Sequence, residues 1–268
     1  MDIGISIRNM GPQSSREVVA GAALAVETLG FESIWITDHI AIPPDDAEGS
    51  GGRYLDTLTT LAWLAGLTTQ IKLGSGVLIL PYRAALPTAK QVATVQELSG
   101  NRLVLGVGIG WMEAEFRALG VDRHARGRIS DETLAYLNAC FNNDVMSANG
   151  QEFLFRPRPP KPPILIGGRA PHALERAVKY GDGWYPISRT PGNLAPAIQT
   201  YRELADSEGR SPGTVTTSTR LPLEDEKRTH DLLAEYRSLG VDRLVCGFPY
   251  DTLEDFRGCL ERLKATLT

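Results

Sequence analysis

The sequence has few cysteines and lacks any long apolar run. Three cysteines, Cys140, Cys246 and Cys259, stand among 268 residues at spacings that fit neither a disulfide framework nor a metal-binding set. Histidines and carboxylates do not recur at metal-ligand spacing. No segment has the roughly 20 consecutive apolar residues that span a bilayer. We therefore expect a protein of a reducing compartment with no membrane span and no bound metal.

Basic clusters are also missing. Lys and Arg number 28 against 32 Asp and Glu, which gives a formal net charge of -4. This balance disfavours nucleic acids and anionic membranes as partners and favours a small molecule. The chain opens on a strand-like run, MDIGISIRNM, without the basic start, apolar core and cleavage site of a signal peptide. We expect a cytoplasmic protein.

Strand and helix patterns alternate regularly along the chain. Apolar runs bounded by turn residues predict eight strands, at 2–8, 33–37, 71–80, 102–111, 164–166, 183–187, 215–221 and 243–248. A helical pattern follows each strand, and Ser14 or Ser15 and later Asp56 are candidate N-caps. Eight such pairs predict a single (β/α)8 TIM barrel over residues 1–268, with an open doubly wound sheet as the alternative.

One stretch lies outside this repeat. Beyond the fourth predicted strand the chain is polar and helical, with its clearest amphipathic part at 131–141, and Gly127 is predicted to break the pattern ahead of it. Residues 145–155 have Asn149-Gly150 at their centre, the strongest short signal for a hairpin turn. The sequence therefore predicts a small β-hairpin insertion.

The fourth predicted strand is rich in glycine. Gly106, Gly108 and Gly110 interrupt an otherwise apolar run. Because glycine weakens a strand, the pattern indicates that a ligand or another backbone comes close, or else that the strand ends tightly without a ligand. The run is not a dinucleotide-binding fingerprint, because Trp111 stands where the third glycine of G-x-G-x-x-G belongs.

Functional side chains of a barrel come from the carboxyl ends of its strands. Asp38 and His39 follow the second predicted strand, and a histidine beside an aspartate can have its tautomer fixed and its pKa tuned. His39 is therefore the best candidate for acid/base chemistry. Glu113 and Glu115 diverge on a helix, so we do not expect a paired acid and base there. The other histidines are interpreted as surface or packing residues: His124, His172 and His230.

A second glycine cluster follows the fifth predicted strand. Gly167, Gly168 and Arg169 precede Pro171, which suits the first turn of a helix. Backbone N–H groups at a helix N-terminus bind phosphate, and Arg169 can add a bidentate contact. The cluster predicts a phosphate site, with a plain glycine turn as the alternative.

Four stretches carry a family resemblance: SIWITDHI at 33–40, IKLGSGVLILPYR at 71–83, AKQVATVQELSGNRLVLGVGIGW at 89–111, and PPILIGGRAPHALERAVKYGDGWYP at 162–186. In order and spacing they resemble the luciferase-like monooxygenase superfamily, specifically its short members that use the deazaflavin coenzyme F420. The resemblance implies a (β/α)8 barrel and a homodimer.

The resemblance also implies roles for the residues at the strand ends. It implies that Asp38 and His39 lie by the deazaflavin ring, with His39 as the polar or acid/base partner. Gly76-Val77 matches the position where the family often has a non-prolyl cis peptide that backs the ring. The remaining implied contacts are the ring and ribityl chain with Gly108, Ile109, Gly110 and Trp111, and the phosphate with Gly167, Gly168 and Arg169.

The sequence departs from one branch of the superfamily. The sugar-phosphate dehydrogenases have a catalytic Glu where this chain has Trp111, which argues against that activity. Arg156 and Arg158 are either a site for the acidic tail of the cofactor or a solvated face. The leading hypothesis is an F420-dependent oxidoreductase that transfers hydride between the deazaflavin C5 and a small organic substrate. The alternatives are an FMN-dependent monooxygenase and a non-catalytic flavin- or deazaflavin-binding protein.

Overall fold

A closed barrel of eight parallel strands forms the centre of the computed structural model, which describes residues 1–186 and 190–267. In barrel order the strands are β1 (Asp2–Ser6), β2 (Ser33–Ile36), β3 (Lys72–Ile79), β4 (Leu103–Gly108), β7 (Ile164–Gly167), β8 (Gly183–Tyr185), β9 (Thr214–Arg220) and β10 (Arg243–Gly247). β10 pairs with β1 and closes the barrel. The prediction of a (β/α)8 barrel is confirmed, and the open sheet is excluded. Ile187, the predicted end of the sixth strand, lies outside the described residues.

Helices surround the barrel. They are α1 (Arg16–Thr28), α2 (Thr57–Leu67), α3 (Ala85–Leu98), α4 (Glu113–Ala118), α5 (Arg126–Asn142), α6 (His172–Tyr180), α7 (Pro191–Ser207), α8 (Glu226–Ser238) and α9 (Leu253–Leu267). Ser15 caps α1 and Asp56 caps α2 through side-chain oxygens that accept backbone N–H groups, as predicted. Within the described part of the chain, no helix is long and apolar enough to cross a membrane.

The predicted break at Gly127 is wrong. Gly127 lies in the first turn of α5, and the chain instead turns at Gly120, whose φ of 66° ends α4. The pattern misled because a single glycine inside a helix costs only about 1 kcal/mol relative to alanine and does not by itself end the helix. A Cβ at Gly127 would stand 3.0 Å from Arg176 Nη2, which is a close contact with the end of a flexible side chain.

The hairpin insertion is confirmed. β5 (Val145–Ala148) and β6 (Gln151–Leu154) pair antiparallel in a sheet of their own. Asn149 and Gly150 have φ values of 50° and 77°, which are the positive φ angles that a type I′ turn requires at both central positions. The Asn-Gly dipeptide therefore determines the turn, and the turn determines the register.

An ion cluster lies at the amino-terminal end of the barrel. The carboxylate of Glu32 accepts hydrogen bonds from Arg243 Nε and Nη2, at 2.8 and 2.7 Å, and from Lys72 Nζ at 2.9 Å. Burial raises the pKa of Glu32, but the bonds from Arg243 outweigh it and lower that pKa to about 2. The cluster ties residues at the start of β2, β3 and β10 to one another.

We expect this cluster to make stability fall steeply in acid. Because the pKa of Glu32 is about 2 in the folded chain and about 4.5 when unfolded, the unfolded state takes up the proton first as the pH falls through that interval. The loss reaches about 3 kcal/mol. Urea unfolding midpoints measured across the interval should fall less steeply for Glu32→Gln than for the wild type. Equal slopes for the two proteins would contradict this account.

Candidate functional site

His39 and the glycines that the sequence predicts as site residues line one cavity at the carboxyl ends of the strands. Its volume is about 390 Å³. It is lined by residues from β2, β3, β4, β7, β8 and β9 and the loops that follow them: Thr37, Asp38, His39, Gly76, Val77, Ile79, Gly108, Ile109, Gly110, Trp111, Gly167, Gly168, Tyr185, Pro186 and Ser218. Every site residue that the sequence predicted lines this cavity except Arg169, which is exposed.

The wall of the cavity is formed by an irregularity in β3. The pairing of β3 with β4 shifts between Ser75 and Leu78, so that β3 has one more residue than β4 over this interval. The Gly76-Val77 peptide bond within it is cis, at the position that the family resemblance implies. The bulge turns the Val77 side chain toward the neighbouring strands β4 and β7.

This bulge explains the glycines of β4. A Cβ on Gly106 would stand less than 3.0 Å from the carbonyl oxygen of Ser75, and a Cβ on Gly108 would stand 2.6 Å from Val77 Cγ2. Gly167 on β7 is under the same restriction, since its Cβ would approach Val77 Cγ1 to 3.0 Å. Of the alternatives that the sequence left open, the one that holds at Gly106 is the close approach of another backbone.

The adjacency of Asp38 and His39 predicts that Asp38 orients the histidine, but the structure shows that it does not. Its carboxylate is buried and forms a bidentate ion pair with Arg83, at 2.7 and 2.8 Å. It also accepts hydrogen bonds from the Ile79 amide at 2.8 Å and from the Thr57 hydroxyl at 2.9 Å. Neighbouring side chains on a strand end point in opposite directions, so Asp38 anchors the β2 loop to β3 and α2.

Glu115 is the partner of His39. His39 Nδ1 lies 2.8 Å from Glu115 Oε2, and the Glu115 side chain is fully buried. From the sequence, Glu115 stands out only as half of a pair with Glu113, and its contact with His39 is not predicted. A usable signal is present in the sequence: Glu115 shares one face of α4 with Met112, Phe116 and Leu119, and a carboxylate on an apolar helix face needs a buried partner.

Donors surround the carboxylate of Glu115. Oε1 accepts the backbone N–H groups of Ile40 at 2.6 Å and Ala41 at 2.9 Å, while Oε2 accepts the Tyr82 hydroxyl at 2.9 Å in addition to His39. Burial raises the pKa of Glu115, but the bonds from Ala41, Ile40, His39 and Tyr82 outweigh it and hold the pKa below its ordinary value. Glu115 is therefore an ionised carboxylate at neutral pH.

Aromatic side chains flank His39 at the mouth of the cavity. The His39 ring lies 5.0 Å from the Tyr54 ring and 6.3 Å from the Trp111 ring, edge-on in both cases. The Trp111 side chain is 65% exposed and Ile40 is 44% exposed, both large values for apolar residues. An exposed apolar rim around a concave site is typical of a ligand-binding surface.

A second, smaller cavity adjoins the first. Its volume is about 270 Å³, and Ile109 lines both cavities. The rest of its lining is basic or glycine: His124, Arg126, Gly127, His172 and Arg176. His172 begins α6, so the positive end of that helix is here as well.

The charges of this basic cavity are only partly paired. Arg176 Nε bonds to Asp131 at 2.6 Å, and His172 Nδ1 lies 3.3 Å from Glu175. Among the described residues, the buried Nε of Arg126 has no hydrogen-bond partner. The cavity therefore suits an anionic group attached to a ligand in the larger cavity.

The remaining basic residues that the sequence raised as candidates lie elsewhere. Arg156 and Arg158 both form ion pairs with Asp144 beside the hairpin, at 3.0 and 2.7 Å. Arg169 follows the Gly167-Gly168 turn but is not part of the lining of either cavity. Of the two interpretations offered for Arg156 and Arg158, the paired positions favour the solvated face.

Fold and site together define a (β/α)8 barrel with a glycine-lined cavity at the carboxyl ends of its strands and a basic cavity beside it. The chain belongs to the luciferase-like monooxygenase family, whose model matches residues 2–262. An uncharacterized protein of Mycobacterium tuberculosis is 30% identical over 207 residues, which covers 70% of this chain and 72% of the relative.

Solved structures share the fold. An F420-dependent secondary alcohol dehydrogenase, in complex with an F420-acetone adduct, superposes with a TM-score of 0.80 at 14% identity and covers 100% of this chain and 99% of that one. The oxygenating constituent of 3,6-diketocamphane monooxygenase from Pseudomonas putida, in complex with FMN, gives a TM-score of 0.78 at 14% identity, with coverages of 98% and 96%. Deazaflavin and flavin enzymes thus both occur on this fold.

Proposed function

We propose that this protein is an oxidoreductase that binds coenzyme F420 and transfers a hydride between the deazaflavin C5 and a small organic substrate. The observation that carries the proposal is that Ile109 lines both cavities, so that a glycine-lined wall and a histidine lie next to a basic pocket. The larger cavity is within the range of about 300–1,000 Å³ typical of ligand and cofactor sites. The bound cofactor supplies the carbon that donates or accepts the hydride.

Each part of the site has a task in this function. Val77 and Gly108 form the wall against which a planar ring packs, and Arg126 and Arg176 bind a phosphate at the start of α6. His39 accepts a proton from a substrate hydroxyl when hydride leaves the substrate, or donates it in the reverse direction. Trp111 and Tyr54 limit the access of water from the mouth.

An FMN-dependent monooxygenase is the second candidate, because a structure that holds FMN shares the fold. Its ring and phosphate would use the same two cavities. A non-catalytic binding protein is less well supported, because such a protein has no need of a histidine that is held by a buried carboxylate beside the ligand cavity.

Turnover tests the proposed function. The purified chain is mixed with oxidised F420 and a panel of alcohols, and with reduced F420 and a panel of ketones and enones, while the absorbance of the deazaflavin is followed. We expect at least one substrate to change the redox state of the cofactor faster than the no-substrate control. Substrate oxidation only with reduced FMN and oxygen would replace this proposal with the monooxygenase.

We expect Arg126→Ala to weaken the binding of F420 roughly tenfold or more, since a charge-assisted hydrogen bond contributes about 1.5–3 kcal/mol. The variant should bind the deazaflavin that lacks the phosphate as well as the wild type does. Arg128→Ala is the matched control, because Arg128 is exposed on the same helix and pairs only with Glu132 among the described residues. Equal weakening of both ligands would contradict a phosphate contact.

A further inference from the structure

The contact between Glu115 and His39 determines more than the position of the histidine. Both backbone N–H groups at Oε1, those of Ile40 and Ala41, are donors by their chemistry. An ionised carboxylate can only accept, so the groups at Oε2, Tyr82 Oη and His39 Nδ1, must donate as well. The neutral imidazole then carries its proton on Nδ1.

We propose that Glu115 is a positioning residue that fixes the tautomer of His39, with the proton on Nδ1 and the lone pair of Nε2 available to the substrate. Nε2 has no partner in the part of the chain that the structure describes, and His39 lines the cavity. The inference rests on the proposed function for its catalytic consequence, but the tautomer is a property of the free protein.

This tautomer determines the direction in which a proton can move between His39 and the substrate. With Nε2 unprotonated, His39 can accept the proton of a substrate hydroxyl, and F420 bound in the cavity would supply the hydride acceptor. Oxidation of the alcohol to a carbonyl compound would then leave His39 as an imidazolium, which the Glu115 carboxylate at 2.8 Å would stabilise. In the opposite tautomer Nε2 already holds a proton, and this transfer is blocked.

Glu115→Gln separates this role from simple packing. The side chain keeps its size, and the backbone donors of Ile40 and Ala41 require the amide oxygen to face them. The amide NH2 then points at His39 Nδ1, which must accept, so the proton of the neutral ring moves to Nε2. The substitution is therefore expected to invert the tautomer without removing a contact to the backbone. A loss of packing alone would not do this.

The test uses protein labelled with ¹⁵N in histidine, at a pH where the imidazole is neutral, with the His39 signals identified from a His39→Asn difference spectrum. We expect a protonated Nδ1 in the wild type and a protonated Nε2 in Glu115→Gln. Glu113→Gln on the same helix is the matched control and should match the wild type, because Glu113 is exposed and contacts only Arg123 among the described residues.

The test distinguishes failure of the tautomer inference from failure of the proposed function. A wild-type His39 with its proton on Nε2 overturns the inference without any variant, as does a Glu115→Gln protein whose tautomer is unchanged. Where the proposed function also holds, Glu115→Gln lowers kcat on the order of 100- to 10,000-fold with little change in the affinity for F420. The expected tautomers without any F420 turnover by the wild type would refute the proposed function and leave the inference standing.

Discussion

Replacement of His39 with Asn is expected to reduce kcat by about 100- to 10,000-fold, the contribution typical of a general acid or base. Affinity for F420 should change little, because the wall of the cavity and the basic pocket hold the cofactor. Kinetics of the variant with the best substrate of the panel, together with a titration of the cofactor, measure both effects. His230→Ala, at an exposed position on α8, is the control and should behave as the wild type.

Two results would count against this role. Turnover by His39→Asn at the wild-type rate would remove His39 from the chemistry. A loss of cofactor binding equal to the loss of activity would make His39 a binding residue instead. Glu115 also accepts hydrogen bonds from the backbone amides of Ile40 and Ala41. The loop after β2 should therefore keep its position in His39→Asn, so that a change in kcat reports the loss of the imidazole.

Gly106→Ala is expected to have the largest effect on stability. The added Cβ would stand less than 3.0 Å from the carbonyl oxygen of Ser75 on the neighbouring strand β3. This oxygen belongs to the backbone of a barrel strand, so it cannot move aside as the end of a side chain can. Overpacking a core costs about 1–3 kcal/mol when side chains relax, so we expect at least about 3 kcal/mol here. Urea unfolding, or the soluble yield if the variant does not fold, measures the loss.

Gly66→Ala is the matched control for Gly106→Ala. Gly66 lies in α2, and a Cβ there would meet nothing within 4 Å. Because Ala is a better helix former than Gly by roughly 0.8–1.0 kcal/mol, this variant should be as stable as the wild type or more so. A Gly106→Ala protein with wild-type stability would show that β3 and β4 are not held as close as the structure has them.

The fold was predictable from the sequence because its signals are local. Alternation of strand and helix patterns predicts a barrel without any knowledge of which residues touch, and Asn149-Gly150 specifies its own turn. The predicted boundary at Gly127 failed because a single glycine weakens a helix without ending it, and α5 runs through this residue. The number and order of the elements were therefore predictable from the sequence, while the helix boundary at a particular glycine was not.

The site was predictable in its location and not in its connections. The rule that barrel sites lie at the carboxyl ends of strands, with the family resemblance, was enough to select His39 and the glycines of β4. The partners of Asp38 and His39 are Arg83 and Glu115, 45 and 76 residues away along the chain. No spacing rule connects residues so far apart. The basic pocket likewise draws on α5 and α6, which only the closed barrel brings together.

We expect the two cavities to bind coenzyme F420 in preference to FMN. Titration of the purified chain with oxidised F420 and with FMN, each followed by fluorescence quenching and competed against the other, tests it directly. We predict saturable binding of F420 at lower concentrations than FMN, with FMN displaced by F420 in competition. Tighter binding of FMN, or no binding of either, would contradict the account.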